Sequence, residues 1–157
     1  MDMDISVIQD TAYKQDQFIS ELMPGNAYSH HNNIMVARQG LIERLRYIRE
    51  RGKIAIDCDP LPIGIDVVMQ LYNDSGQQFA KSNTGGFLFK LPNKRFLGLI
   101  KSSSESENGE WYLWIETFER NGIKDKQRYH IIGKVSHVHQ LQNLFFAITG
   151  EKLSLIE

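Results

Sequence analysis

The sequence predicts an α+β fold in which a mainly antiparallel meander sheet of four to five strands packs with about three helices, two N-terminal and one C-terminal. Two observations indicate this class. Helix-like segments stand at both ends of the chain, and short apolar or alternating segments separated by turn residues lie between them. Helices that flank such a run of consecutive strands cover one face of an antiparallel sheet.

The two N-terminal helices are expected within residues 11–52. The first covers about residues 11–23, before a Pro-Gly pair that stops it. The polar run NAYSHHNN that follows is predicted to be a loop. The second helix begins at one of the asparagines that close this run, or near Gly40, and ends at about Arg51, before Gly52.

The sheet is expected within residues 53–135 and the last helix within residues 136–150. KIAID alternates in apolar character, and both it and IDVVMQLY are predicted to be strands, with DPLP between them as a loop. The meander strands that follow are predicted at residues 86–91, 96–102, 111–118 and 127–135. Ser136 is expected to cap the last helix, whose apolar stripe faces the core.

Size and composition indicate one globular domain over residues 1–157, with residues 1–10 as a flexible N-terminus. A chain with 41% hydrophobic and 24% charged residues is globular. At this length it can bury a stable core without disulfides or a structural metal ion. No apolar run approaches the roughly 20 residues of a membrane span, and the acidic start MDMDISVIQD lacks the features of a signal peptide. No membrane contact is therefore expected. The single cysteine, Cys58, excludes an internal disulfide, which fits a cytoplasmic location.

The segment ARQGLIERLRYIRERGK carries six positive and two negative charges, a local excess of +4 in a chain of net charge −1. On a helical wheel the arginines border the apolar stripe on both sides instead of forming one exposed basic face. This pattern favours an amphipathic helix whose arginine stems cover apolar surface. It also leaves open a contact with phosphates, for which the helix offers Arg46, Arg49 and Arg51.

Alternate turns of a meander lie at the same end of the sheet, which brings the turn PNKR beside the turn ERNGIKDKQR. Basic residues concentrate in these two turns, whereas the acidic run SSSESENGE belongs to the other end. Cations gathered at one end attract anions even when the net charge is near zero. The sequence therefore predicts a nucleic-acid site. Its phosphate contacts are Lys94, Arg95, Lys124, Lys126 and Arg128, supported by Arg46, Arg49 and Arg51.

Aromatic residues crowd the strand predicted at residues 111–118. Alternation places Tyr112, Trp114, Glu116 and Phe118 on one face of the sheet. This face is core if helices cover both sides of the sheet, and otherwise it is a platform for stacked bases or a protein-binding patch. The aromatic residues Tyr112, Trp114 and Phe118 would then contact a protein partner, and an uncovered face would also allow a homodimer.

Residues with catalytic or metal-binding chemistry are few. Asp57-Cys58-Asp59 follows a short apolar segment and resembles the DxD start of the haloacid-dehalogenase phosphatases over about six residues. That resemblance implies a Mg²⁺ ion shared by the two aspartates, with Asp57 as the nucleophile toward phosphate. The chain departs from the family in lacking the later acidic pair and the parallel βαβ pattern. His137 and His139 point apart on a helix and no cysteine pair accompanies them, so no metal site is expected.

These observations predict a small, cytoplasmic, non-enzymatic binding protein without a cofactor. The leading function is a nucleic-acid-binding accessory or regulatory factor, because several basic groups converge on one end of the sheet. The alternative is a protein-binding module, such as an inhibitor, an immunity-type protein or an adaptor, which uses the Trp-rich sheet face. A Mg²⁺-dependent phosphatase-like enzyme at Asp57 and Asp59 is the remote alternative.

Overall fold

The computed structural model describes residues 15–52, 58–83, 85–92, 95–101, 110–121 and 124–155, with the backbone alone for residues 117–121 and 124–127. Within these ranges the fold is α+β, as predicted. The helices are α1, described over residues 15–21, α2 (Gln39–Glu50), α3 (Ile65–Val68) and α4 (Val138–Thr149). The strands are β1 (Ala27–His30), β2 (Asn33–Val36), β3 (Asp59–Pro60), β4 (Leu71–Tyr72), β5 (Ala80–Lys81), β6 (Phe87–Lys90), β7 (Phe96–Lys101), β8 (Trp111–Asn121), β9 (Lys124–Val135) and β10 (Ser154–Leu155).

The described residues form two compact units. The first combines the described chain up to Pro62 with His137–Leu155, and the second is the described part of Ile63–Ser136. Helices α1, α2 and α4 belong to the first unit, and a five-stranded sheet belongs to the second. The assignment of one domain to the whole chain stays a prediction. The strand predicted at KIAID and most of SSSESENGE, residues 102–109, lie outside the described residues.

The segment predicted as a polar loop and the start of a helix is instead a hairpin of β1 and β2. His31 and Asn32 form its two-residue connection, with left-handed φ values of 49° and 66°. Two successive positive φ angles suit the twist of the flanking strands, and asparagine tolerates this conformation. The prediction that residues 11–52 are helical is therefore wrong in this stretch. The asparagines do not cap α2, which begins at Gln39, close to the alternative start near Gly40.

The first unit has an apolar core cluster to which α1 and α2 contribute. Phe18 and Leu22 come from α1 and the residue after it, and Ile42 comes from α2. Leu141 and Phe145 of α4 are also fully buried. The helix described over residues 15–21 lies within the predicted first helix and ends before the Pro-Gly pair, as the sequence indicates. Burial of this apolar face is what stabilises helices that would be marginal alone.

Buried amide side chains connect the elements of this core. The carbonyl oxygen of Gln142 on α4 accepts the N–H of Ala27 at 2.8 Å, and its amide nitrogen donates to the carbonyl of Leu153 at 2.8 Å. Oδ1 of Asn26 accepts the N–H of Met23 at 2.7 Å. These bonds satisfy backbone groups that helix and strand ladders leave open, so α4 and the start of β1 are held by specific polar contacts.

Two assignments between residues 58 and 72 are wrong. IDVVMQLY is not one strand, because its first half is the short helix α3 and only Leu71–Tyr72 is extended. The periodicity of a short apolar run cannot distinguish a buried strand from a buried helical turn. In this protein the run forms α3, which buries Val68. DPLP is not a plain loop, because β3 pairs with β1 at the edge of a three-stranded sheet, where a proline needs no partner for its nitrogen.

The predicted C-terminal helix is present as α4, with His137 in place of Ser136 as its N-cap residue. Oε1 of Gln140 accepts the backbone N–H of His137 at 3.2 Å. Gly150 ends the helix with a φ of 75°, and its N–H donates to the carbonyl of Phe146 at 2.8 Å. Of the helices in the described ranges, none has both the length and the apolar character needed to cross a membrane.

The sheet of the second unit has the strand order β5-β6-β7-β8-β9, with each neighbouring pair antiparallel. This broadly matches the predicted meander, with the short strand β5 before it. The prediction of a turn over residues 119–128 is wrong for most of that segment, because β8 continues to Asn121 and β9 begins at Lys124. Alternation separates a buried inner face from an outer face. The buried inner residues are Phe87, Phe89, Leu97, Leu99, Trp111, Leu113 and Val135. The outer face carries Trp114, Tyr129 and Ile131.

The indole of Trp114 occupies the space beside Gly98, its register partner on β7. An ideal Cβ built on Gly98 would overlap Cε2 and Cζ2 of that indole. A glycine inside a strand commonly marks a place where another group approaches the backbone closely, and an aromatic ring can cover it. The absence of a side chain at Gly98 is therefore what lets Trp114 lie close against the sheet.

Gly98→Ala is expected to destabilise the protein by about 1–3 kcal/mol, because the added methyl group must displace the indole of Trp114. Urea unfolding followed by circular dichroism measures the loss, and tryptophan fluorescence reports the displaced ring. Gly133→Ala on β9 is the matched control, since a Cβ there meets nothing within 4 Å. Equal stability of the two variants would contradict the packing of Trp114 against Gly98.

Candidate functional site

A groove with a volume of about 560 Å³ lies on the outer face of the five-stranded sheet. We call it the outer-face groove. Its described lining includes Phe96, Ile100, Trp114, Glu116, Tyr129 and Ile131. These residues come from β7, β8 and β9, which are strands of the second unit. Leu88 of β6 and Ser82, in the connection between β5 and β6, complete the described lining. The groove is therefore built mainly on hydrogen-bonded strands.

Large apolar side chains of this groove are exposed. The exposed fraction is 71% for Ile131, 60% for Tyr129 and 42% for Ile100. Trp114 contacts Tyr129 edge to face, with ring centroids 5.2 Å apart and planes at 82°. Single exposed apolar residues are ordinary on protein surfaces, but a contiguous group of them marks an interaction surface. The outer-face groove has that character.

A β-bulge decides which residues of β9 line the groove. Leu113 pairs with Gly133, whereas the next residue of β8, Trp114, pairs with Ile131. One residue of β9 is therefore extra, and the alternation of the strand reverses beyond it. Because of this reversal, Ile131 and Tyr129 lie on the same face as Trp114. Sequence reasoning did not include these two residues in a site, since alternation alone does not reveal a bulge.

Glu116 is the charged residue of the described lining. Its side chain is only 5% exposed, and it stands opposite Tyr129 in the strand register. Within the described part of the chain, no hydrogen bond or ion pair engages its carboxylate, and the described lining includes no basic side chain. A carboxylate on a largely buried residue attracts cations more strongly than one in bulk water, because the surrounding protein has a lower dielectric constant. The groove thus joins apolar contact surface to a negative charge.

The three residues predicted for a protein-binding face have different surroundings. Trp114 lines the groove. Tyr112 is half-buried and donates its hydroxyl hydrogen to the carboxylate of Glu110 at 2.7 Å, and Lys134 donates to the same carboxylate at 2.6 Å. The hydrogen bond to Glu110 raises the pKa of Tyr112. The side chain of Phe118 lies outside the described part of the structure.

The β6–β7 and β8–β9 hairpins lie at the same end of the sheet, since consecutive strands alternate in direction. Arg95 and Arg128 are exposed there. Lys94 lies outside the described residues, and Lys124 and Lys126 are described by their backbone, at alternate positions of β9. The topology thus brings the two basic segments to one end of the sheet, while phosphate binding by them stays a prediction.

Each of the three arginines predicted to support phosphate binding has an intramolecular contact; two of them lie on α2, and Arg51 follows it directly. Arg46 donates to the carbonyl of Leu22 at 3.5 Å, Nε of Arg49 lies 3.4 Å from Oδ1 of Asp16, and the guanidinium of Arg51 lies 4.3 Å above the ring of Tyr47. These contacts agree with arginines that border a buried apolar stripe. Helix α2 belongs to the first unit, whereas the basic hairpins belong to the second.

A histidine pair lies at the start of α4 in the first unit. His139 is almost fully buried, 1% exposed, and its ring packs against Phe18 with centroids 5.2 Å apart. Its Nε2 is 3.8 Å from a carboxylate oxygen of Glu21, and the ring of His137 stacks 5.8 Å away. Burial lowers the pKa of His139 to about 4, although Glu21 opposes the shift. The ring is therefore neutral near pH 7.

The residues considered for metal or phosphate chemistry are not gathered into a site in the described ranges. No group of three or more histidine, cysteine, aspartate or glutamate side chains there is arranged to hold a metal ion. Asp57 lies outside the described residues, and Asp59 is exposed in β3. Strand β3 pairs antiparallel with β1, whereas the phosphatase resemblance implies parallel βαβ units.

The free energy of unfolding is expected to fall as the pH drops from about 6.5 toward 4, because His139 binds its proton more weakly in the folded chain than in the unfolded chain. Neutral His139 makes its full contribution to the free energy of unfolding above pH 6.5. Between pH 6.5 and 4 this contribution falls by up to about 1.4 kcal/mol per pH unit. Urea titrations at several pH values measure it. His139→Leu should reduce the dependence to the part contributed by His137, whose pKa burial also lowers, and His130→Gln is the control at an exposed site. An unchanged slope in His139→Leu would contradict the assignment.

Comparisons with known proteins add no family to this picture. No protein-family model, curated protein or solved structure matches the chain. The functional argument therefore depends on the geometry of the chain's own residues. Two features carry it. One is the outer-face groove, with its exposed aromatic and aliphatic side chains, and the other is the end of the sheet that carries both basic hairpins.

Proposed function

We propose that this chain is a cytoplasmic, non-enzymatic protein-binding module that receives part of another protein in the outer-face groove. The observation that carries the proposal is the exposure of Ile131 and Tyr129 beside Trp114 on hydrogen-bonded strands. Such a module would serve as an inhibitor, an immunity-type protein or an adaptor. A homodimer formed through the same face belongs to this proposal, with a second copy of the chain as the partner.

Burial of the apolar surface of the groove would supply most of the binding free energy. Covering one exposed isoleucine or aromatic side chain contributes about 1.5–3 kcal/mol. Tyrosine and tryptophan are enriched among the residues that dominate interface energetics, and both are present here. The strands that carry them are already ordered, so binding costs little backbone entropy.

Nucleic-acid binding is the second candidate function. The observation that favours it is the position of the β6–β7 and β8–β9 hairpins at one end of the sheet, where Arg95 and Arg128 are exposed. Trp114 and Tyr129 could also stack on unpaired bases. This function ranks second because Arg46, Arg49 and Arg51, the supporting phosphate contacts in the sequence-based hypothesis, each contact groups of the same chain.

Peptides selected from a random display library against this protein are expected to depend on the groove. The paired substitution Tyr129→Ala with Ile131→Ser should weaken their binding at least tenfold, because it removes two exposed apolar contacts. Ile34→Ser with Met35→Ser is the matched control, since these residues are similarly apolar and exposed on β2. Fluorescence anisotropy measures affinity. Binding that is equally strong in both double variants would overturn the proposal, and sedimentation of the two variants tests the homodimer.

The second candidate is tested with mixed-sequence single- and double-stranded DNA and RNA at low and moderate salt. Binding through phosphates should weaken with salt with a log–log slope of about −0.7 to −0.9 per phosphate neutralised. Lys94→Glu with Arg95→Glu should reduce affinity for all sequences about equally, whereas Arg44→Glu, exposed on α2 in the first unit, should not. No binding at low salt would exclude this function.

A further inference from the structure

We infer that the partner inserts an arginine side chain into the outer-face groove, where its guanidinium group pairs with Glu116 and lies against Trp114 and Tyr129. This inference rests on the proposed protein-binding function and names the chemistry of the partner. It begins from one juxtaposition: Glu116, a residue that is only 5% exposed but lines the groove, lies among exposed aromatic and aliphatic side chains on the same sheet face.

Charge complementarity identifies the sign of the incoming group. Glu116 is 5% exposed, and among the described residues no donor or cation engages its carboxylate. The described lining of the groove contains no basic side chain, and Arg95 and Arg128 are not part of it. The charge of the described lining is therefore negative, which an incoming cation would complement and an anion or a purely apolar group would not.

The aromatic rings select the same kind of group independently of the carboxylate. Trp114 and Tyr129 meet edge to face at 5.2 Å, and Phe96 lines the groove from the neighbouring strand. Aromatic faces attract cations through the ring quadrupole, most strongly for tryptophan. A cation bound between these rings and Glu116 would be stabilised by two kinds of interaction at once.

Arginine fits this arrangement better than lysine. A guanidinium is planar, stacks on aromatic rings, forms two parallel hydrogen bonds to one carboxylate, and is more weakly hydrated than an ammonium group. The long apolar stem of the side chain would contact Ile100 and Ile131, which are 42% and 71% exposed. The groove volume of about 560 Å³ exceeds one side chain, so neighbouring residues of the partner would occupy the rest.

The test uses peptides selected by display whose binding is lost in the Tyr129→Ala, Ile131→Ser double variant. Each arginine of such a peptide is replaced in turn by citrulline, which has the same shape without the charge. One citrulline substitution is expected to weaken binding at least tenfold to the wild-type protein. In Glu116→Gln the same substitution should change affinity less than twofold, because the partner charge is gone. Thermal unfolding confirms that Glu116→Gln is folded.

The outcomes separate this inference from the proposed function. Groove-dependent peptides that lack a critical basic residue, or whose citrulline variants bind as tightly, would overturn the inference and leave the protein-binding function standing. Peptides in which lysine replaces arginine without loss would overturn the choice of arginine. If no peptide depends on the groove, both proposals fail together.

A structural readout checks the location of the bound group. N-acetyl-arginine methylamide should shift the indole Nε1–H resonance of Trp114 and leave that of Trp111, buried on the inner face, unchanged. The citrulline analogue is the control and should produce no saturable shift. A shift of Trp111 alone, or equal shifts with both probes, would place the probe elsewhere and overturn the inference.

Discussion

The packing of Trp114 against Gly98 is the interaction on which the outer face of the sheet depends. The indole fills the space where a side chain on β7 would stand, and its edge meets the ring of Tyr129 on β9. One ring thereby spans three neighbouring strands. An aromatic residue without the facing glycine would be pushed away from the sheet, and the floor of the groove would be lost.

The bulge after Leu113 complements this packing. It reverses the alternation of β9, so that Tyr129 and Ile131 join Trp114 on the outer face while Leu113 and Val135 stay buried on the inner one. Bulges frequently re-aim side chains near functional sites. The one extra residue of β9 thus affects both faces of the sheet. The inner face keeps its buried apolar residues, and the outer-face groove gains exposed apolar residues.

In the first unit, basic side chains make contacts within the chain itself. Arg49 pairs with Asp16 and Arg51 lies over Tyr47, so part of the basic character of α2 serves the helix surface itself. Buried amides of Gln142 and Asn26 satisfy backbone groups at the junctions of that unit. A count of arginines along the chain therefore overstates the charge that a ligand would meet.

The sequence by itself determined the α+β class, the antiparallel order of β6 to β9 and the C-terminal helix with its stop at Gly150, because periodicity and turn residues act locally. Only the tertiary structure decided that residues 27–36 form a hairpin and that β9 changes face at its bulge. Both depend on which backbone groups pair across strands, and side-chain polarity does not encode that pairing. The burial of Glu116 also depends on the tertiary structure. Alternation along the strand predicts the face of the sheet on which Glu116 lies, but its low exposure results from residues on neighbouring strands.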